Sequence, residues 1–286
     1  MSDDLKLVKE LRDKTGAGFL DCKEALACND GNLDNAIDYL RKKGLAKASK
    51  KSSREANEGA VGFFENNNIG VIIKVNSETD FAAKGDTFLD FIDFLGNRIL
   101  DLNKTDLDLD SFLNSEISSK TIKEIVDEMI AKIGENIVIS DLRIFDISDS
   151  KSSFYVHNSY RKNIGKIISF IKYSANSDAE NIQSFGKNLC MHIAALKPEA
   201  LDEDGLDKEV IDKELNIQKE LIAKSGKPSN VIDKILEGKM KKFYSEVTLL
   251  NQSFVLNPDK SVSEIISTDY KEVNFEIKTF DFISLT

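Results

Sequence analysis

Apolar residues recur along this chain with two periods, and the switch between them sets out its parts. Near the start, Leu5, Val8 and Leu11 share one helical face behind Asp3 or Asp4 as a cap. Thr15-Gly16-Ala17-Gly18 breaks that helix. Phe19, Cys22 and Leu26 mark a second, and Asp30-Gly31-Asn32 makes the next turn. Leu33, Ala36, Ile37 and Leu40 follow the i, i+3, i+4, i+7 rule of a third, with Gly44 as its expected C-terminal stop. Three short helices in so few residues predict a compact bundle of the ubiquitin-associated type over residues 1–54. It would be marginal in isolation.

Alternation then takes over. Ala60 to Glu65 and Gly70 to Val75 (GVIIKV) predict two strands around an Asn66-Asn67-Asn68 turn. Beyond Asn76-Ser77-Glu78-Thr79-Asp80, a helix carries Phe88, Phe91, Ile92, Leu95 and Ile99. The order recurs: Phe154 to His157, then Gly165 to Ile171 (GKIISFI), then a helix with Ile182, Phe185, Leu189, Ile193 and Leu196. Gly70 and Gly165 stand 95 residues apart. Two related α+β subdomains with small antiparallel sheets, 55–148 and 149–286, are the economical reading. Between the repeats lie the acidic stretch Asp101–Asp110, a helix from about Ser119 to Ile133 stopped by Gly134-Glu135-Asn136, and a third strand over Ile137–Ile147. Helices over Asp207–Ala223 and Ser229–Leu250 flank Gly226-Lys227-Pro228 and predict a helical hairpin within about 205–250. It reads either as core packing or as a projecting coiled-coil arm. Val273, Phe275 and Ile277 predict a closing strand.

Composition narrows the function classes. The 286 residues are 41% hydrophobic and 31% charged, with a net charge of −10. That excludes a disordered chain, and the acidic balance argues against direct nucleic-acid binding. Residues 1–54 depart from it: 12 basic against nine acidic side chains give about +3, leaving about −13 for the remainder. The basic stretch 45–57 with Lys47, Lys50, Lys51 and Arg54 is either a solvated linker or a surface for an acidic partner. Three cysteines, Cys22, Cys28 and Cys190, make no disulfide framework and fit a reducing, cytoplasmic setting. No signal segment and no membrane-length apolar run are expected. Two histidines, no Cys-x-x-Cys, no P-loop and no nucleophile elbow move weight from enzyme to binding protein, with no metal and no cofactor expected.

Several segments, in order, resemble the bacterial elongation factor Ts family. They are Leu11-Arg12-Asp13-Lys14-Thr15-Gly16-Ala17-Gly18 followed by Asp21-Cys22-Lys23-Glu24-Ala25-Leu26; Val75-Asn76-Ser77-Glu78-Thr79-Asp80-Phe81; Lys132-Ile133-Gly134-Glu135-Asn136; Met191-His192-Ile193-Ala194-Ala195; and Glu237-Gly238-Lys239-Met240-Lys241-Lys242-Phe243. The resemblance implies guanine-nucleotide exchange on elongation factor Tu during translation, without bond chemistry of its own. Thr79, Asp80, Phe81 and Ala82 would reach the G domain and disturb its magnesium site. Arg12, Leu20 and Lys23 of the bundle, and His157 at the second repeat, would add contacts. It implies a heterodimer, with a dimer of heterodimers as the larger alternative. The loop Asn158–Asn163 is about three residues longer than the family's pattern. The tail Thr279-Phe280-Asp281-Phe282-Ile283 lacks the family's glycines, and no helical extension is expected beyond it.

Other readings of the same residues stand beside these. Phe81 fits an ordinary core residue, Asp80 the N-cap of the next helix, Lys23 and Arg12 solvated charges, and His157 a strand-end polar residue. His192 reads as a satisfied structural histidine. For the whole chain, the alternative is a non-catalytic adaptor that recruits a partner without altering it.

Overall fold

The computed structural model describes residues 3–177, 179–223 and 229–285. It divides into two compact units. One comprises Met1–Asp146, Asn158–Lys166 and Ser284–Thr286; the other comprises Ile147–His157 and Ile167–Ile283. Both mix helices with strands, so the chain is α+β.

The first unit opens with three helices, α1 (Asp3–Thr15), α2 (Phe19–Cys28) and α3 (Leu33–Lys51). Asn32 caps α3 by accepting the Asn35 N–H at 3.0 Å. Val8, Leu11, Cys22, Ala25, Leu26, Ala36 and Leu40 form their shared core. Strands β1 (Glu58–Glu65) and β2 (Ile69–Ser77) pair antiparallel, followed by the single turn α4 (Asp80–Lys84) and the long α5 (Asp86–Leu102). A one-turn helix α6 (Leu109–Leu113) and a minimal ladder of β3 (Glu116–Ile117) and β4 (Lys120–Thr121) lead into α7 (Ile122–Ile133). Thr121 and Glu124 close a capping box at its start. Strand β5 (Ile137–Asp146) pairs antiparallel with β2, as expected of a third strand. Phe88, Phe91, Ile92, Leu95 and Ile99 of α5 lie in one core with Val71, Ile73 and Val75 of β2. Each such side chain contributes about 1.5–3 kcal/mol of apolar burial.

Helix α3 does not stop at Gly44 but continues to Lys51, so part of the expected linker is helical. The cause is tertiary. Ala48 is fully buried in the core that also holds Ile122, Val126 and Ile130 of α7. A Cβ on Gly44 would come within 3.0 Å of the Ala131 Cβ. Gly44 is therefore a close-approach residue between α3 and α7, and packing outweighs its low helix propensity.

Strand β6 (Lys151–Arg161) and β7 (Ile164–Ser174) enclose a two-residue turn. Most of the expected Asn158–Asn163 loop is thus strand. Arg161 ties it to α5, donating to Asp93 at 2.5 Å and Asp90 at 2.6 Å. The first residues of β7 pair with β1 at Val61↔Gly165 and Gly62↔Ile164, which extends the sheet of this unit.

The second unit holds the rest of β6 and β7, then α8 (Glu180–Leu196), α9 (Lys208–Ala223), α10 (Ser229–Val247), a short ladder of β8 (Ser253–Phe254) and β9 (Asn257–Ser261), α11 (Val262–Asp269) and β10 (Glu276–Ser284). Strand, strand, helix thus follows the order of β1, β2 and α5. Phe185, Leu189 and Ile193 of α8 pack with Tyr173, Phe254 and Phe275 in a second core. Helix α11 begins with a second capping box, Ser261 and Glu264. Of the residues expected in the closing strand, Val273 lies in a 3₁₀ turn and Phe275 just ahead of β10, so only Ile277 belongs to it. Helices α9 and α10 contact each other. Their Gly226-Lys227-Pro228 connection lies outside the described residues.

Candidate functional site

The corner after β2 is built from the backbone outward. The β2 strand is buried almost throughout and delivers the chain to Glu78 at the rim. Thr79 then caps α4, its hydroxyl accepting the Ala82 N–H at 3.3 Å. This corrects the expectation that Asp80 is the cap: the hydroxyl one residue earlier has the N-cap geometry, and Asp80 is the first helical residue. Asp80 instead accepts from Lys84 at 2.7 Å, one turn on. That contact holds its carboxyl below the usual carboxylate range. Ala83 points inward and is buried, while Phe81 is 85% exposed. The reading of Phe81 as a core residue is therefore wrong: on a five-residue helix with Ala83 turned to the core, it faces solvent.

Two acids hold this corner to the end of α7. The Thr79 N–H and hydroxyl both donate to Glu135, at 2.9 and 2.7 Å, one to each carboxylate oxygen. In the other direction Glu78 accepts the Asn136 N–H at 2.7 Å. That bond, with Arg54 nearby, draws the Glu78 carboxyl below its ordinary range. Asn136 is buried and donates to the Arg54 carbonyl at 2.7 Å. Gly134 permits the crossing because its φ of +87° lies in the left-handed region. Glu135 is not among the site residues that the sequence points to. Its side-chain link to Thr79 spans 56 positions, and only its place in the Lys132–Asn136 motif hinted at it.

The other expected contacts lie apart. Arg12 on α1 and Leu20 and Lys23 on α2 are exposed, Leu20 by 78%. Among the described residues no hydrogen bond or ion pair joins them to Thr79–Ala82. His157 belongs to the second unit, where it is exposed and shares a 3.1 Å hydrogen bond with the Tyr155 hydroxyl. His192 is buried; its Nε2 lies 2.9 Å from Gln252 Oε1, and its Nδ1 accepts the Val255 N–H at 3.3 Å. Burial pushes its pKa down against the opposing pull of Gln252. The imidazole is thus neutral and structural.

Among the described residues no group of three or more His, Cys, Asp or Glu is placed to hold a metal ion. Cys22 and Cys190 are buried thiols whose pKa burial raises. A cleft of about 300 Å³ between the bundle and α7 is lined by paired charges: Lys43 with Asp21 at 3.0 Å within the bundle, Lys120 with Glu128 at 2.6 Å beside α7, and Arg41 with Glu128 at 3.6 Å between the two. The corner itself presents an exposed aromatic side chain, Phe81, and a carboxylate, Asp80, on a braced turn.

The family model described as elongation factor TS matches residues 78–285, beginning at the glutamate of this corner. The chain belongs to the elongation factor Ts family. Elongation factor Ts of Brucella anthropi is 39% identical over 283 residues, covering 99% of this chain and 92% of that protein. Those of Brucella ovis and Brucella abortus are 39% identical over 282 residues with the same coverage. No helix among the described residues of this elongation factor is long and apolar enough to cross a membrane.

Proposed function

We propose that this factor accelerates GDP release from elongation factor Tu in translation elongation, acting in the cytoplasm as its heterodimeric partner. The observation that carries the reading is Phe81, a large apolar side chain left in water on a turn whose backbone is held on every side. Thr79, Asp80, Phe81 and Ala82 form the segment that enters the G domain. Arg12, Leu20 and Lys23 of the bundle, of ubiquitin-associated type, widen the contact. His157 and the α9–α10 pair, read as a coiled-coil arm, belong to the remaining partner surface. The division into 1–54, 55–148 and 149–286 is part of the same proposal.

The magnesium ion concerned is the partner's. Its octahedral oxygen shell tolerates little distortion, so a wedge that shifts one ligand-bearing segment weakens it. The nucleotide phosphates then lose their counter-charge. The factor needs no acid, base or nucleophile for this: burial of Phe81 in the nucleotide-free state does the work. Binding energy realised only in that state is what lowers the barrier to release.

The experiment is release of fluorescent GDP from elongation factor Tu with substoichiometric factor. Acceleration through many turnovers is the expected result. Tight binding with unchanged release would refute exchange and leave the adaptor reading.

A further inference from the structure

We infer that Glu135 is a positioning residue for exchange, fixing through Thr79 the direction in which Phe81 is presented. This rests on the exchange reading above. Phe81 is almost wholly exposed, so its own packing cannot orient it. Helix α4 cannot do so alone either, because a five-residue helix is far below the length that is stable by itself. Orientation must come from what holds the backbone at the helix entrance.

That hold is concentrated at Thr79. Its N–H and its hydroxyl proton both go to Glu135. With its proton committed, the hydroxyl oxygen turns a lone pair to the Ala82 N–H. Its carbonyl accepts from the Ser77 hydroxyl at 3.0 Å. Glu135 is therefore upstream of the cap: it decides which way the capping oxygen points. Its own anchor is firm, because it follows Gly134 at the end of α7, whose Ile122, Val126 and Ile130 are buried in the core. The reciprocal bond from Glu78 to the Asn136 N–H doubles the tie between the same two segments. A carboxylate taking two donors is a stronger and more directional clamp than a neutral pair. A Phe serving only as a sticky patch has no use for such a brace. One that must enter a partner at a set angle does.

The test is a double-mutant cycle on GDP release. Glu135→Ala lowers the release rate at saturating factor by about tenfold, while the half-saturating concentration moves by less than about threefold. Glu135→Gln, with one accepting oxygen, falls between. In a Phe81→Ala background, Glu135→Ala adds nothing further, because the group it aims is gone. Losses that multiply in the double variant, or Glu135→Ala that releases GDP like an active wild type, overturn the inference alone. A wild-type protein that leaves release unchanged overturns the exchange reading itself. Hydrogen exchange in the free protein reads the clamp separately. The amides of Thr79, Ala82 and Ala83 should exchange at least about tenfold faster in Glu135→Ala and in Glu135→Gln than in wild type. Unaltered protection in both folded variants overturns the proposal whatever the release assay gives.

Discussion

Phe81→Ala separates the surface role of this side chain from any structural one. In the free protein Phe81 is 85% exposed and contributes to none of the three apolar cores. Truncation there should cost folding stability no more than about 0.5 kcal/mol, as at other surface positions. In the complex the same ring is to be buried. Full burial of a phenylalanine is worth about 1.5–3 kcal/mol, and each 1.4 kcal/mol is a factor of ten. If that burial is realised only in the nucleotide-free state, GDP release at a fixed subsaturating concentration of factor slows by roughly tenfold to a hundredfold. Stopped-flow release of fluorescent GDP gives the rate, and urea unfolding of the variant gives the stability. A fall in stability that accounts for the fall in rate would refute the reasoning, as would a release rate within a factor of about two of wild type.

Three further outcomes concern the scaffold. Gly44→Val should destabilise the first unit by about 1–3 kcal/mol, since its side chain would meet Ala131 where α3 and α7 touch; an unchanged urea midpoint would contradict that contact. Thr121→Ala removes the α7 capping box and should cost about 1 kcal/mol, read as a lower midpoint with an unchanged m-value. His192 has its pKa lowered by burial, so the unfolded chain binds a proton more readily than the folded one. Its contribution to stability is complete above the ordinary histidine value near 6.5 and is lost as the pH falls below it. Between pH 7.5 and 5 the wild-type urea midpoint should therefore drop more steeply than that of His192→Gln, and equal slopes would reject the assignment.

How far the sequence revealed this structure depended on whether local or distant forces decided each element. The β1–β2 pair is legible because its nearly continuous apolar runs belong to strands buried on both faces, and α5 because its helical apolar period coincides with the face it buries. Helix α3 was cut short because Gly44 has the form of a stop. The opposing helix that makes a glycine useful there lies almost 90 residues further on, at Ala131. Helix α11 was missed although Ser261 and Glu264 spell out its capping box, since only eight residues follow. At the corner the motif drew attention to Thr79, Asp80 and Phe81, but local reasoning assigned the cap to Asp80 and Phe81 to a core. The cap went to Thr79 because Glu135 orients its hydroxyl, a contact no local pattern contains. His192 was read as structural, and its two hydrogen bonds within the second unit agree.

The most direct test of the central claim is thermodynamic. Titration calorimetry of the factor into elongation factor Tu, once nucleotide-free and once saturated with GDP and magnesium, gives two dissociation constants. Linkage requires that a factor which loosens nucleotide be loosened by it to the same degree. The account expects GDP to weaken the factor's binding by at least about a hundredfold, matching the factor's weakening of GDP binding. Equal affinity for the two forms would contradict it, because a protein that binds both states alike cannot shift the balance between them.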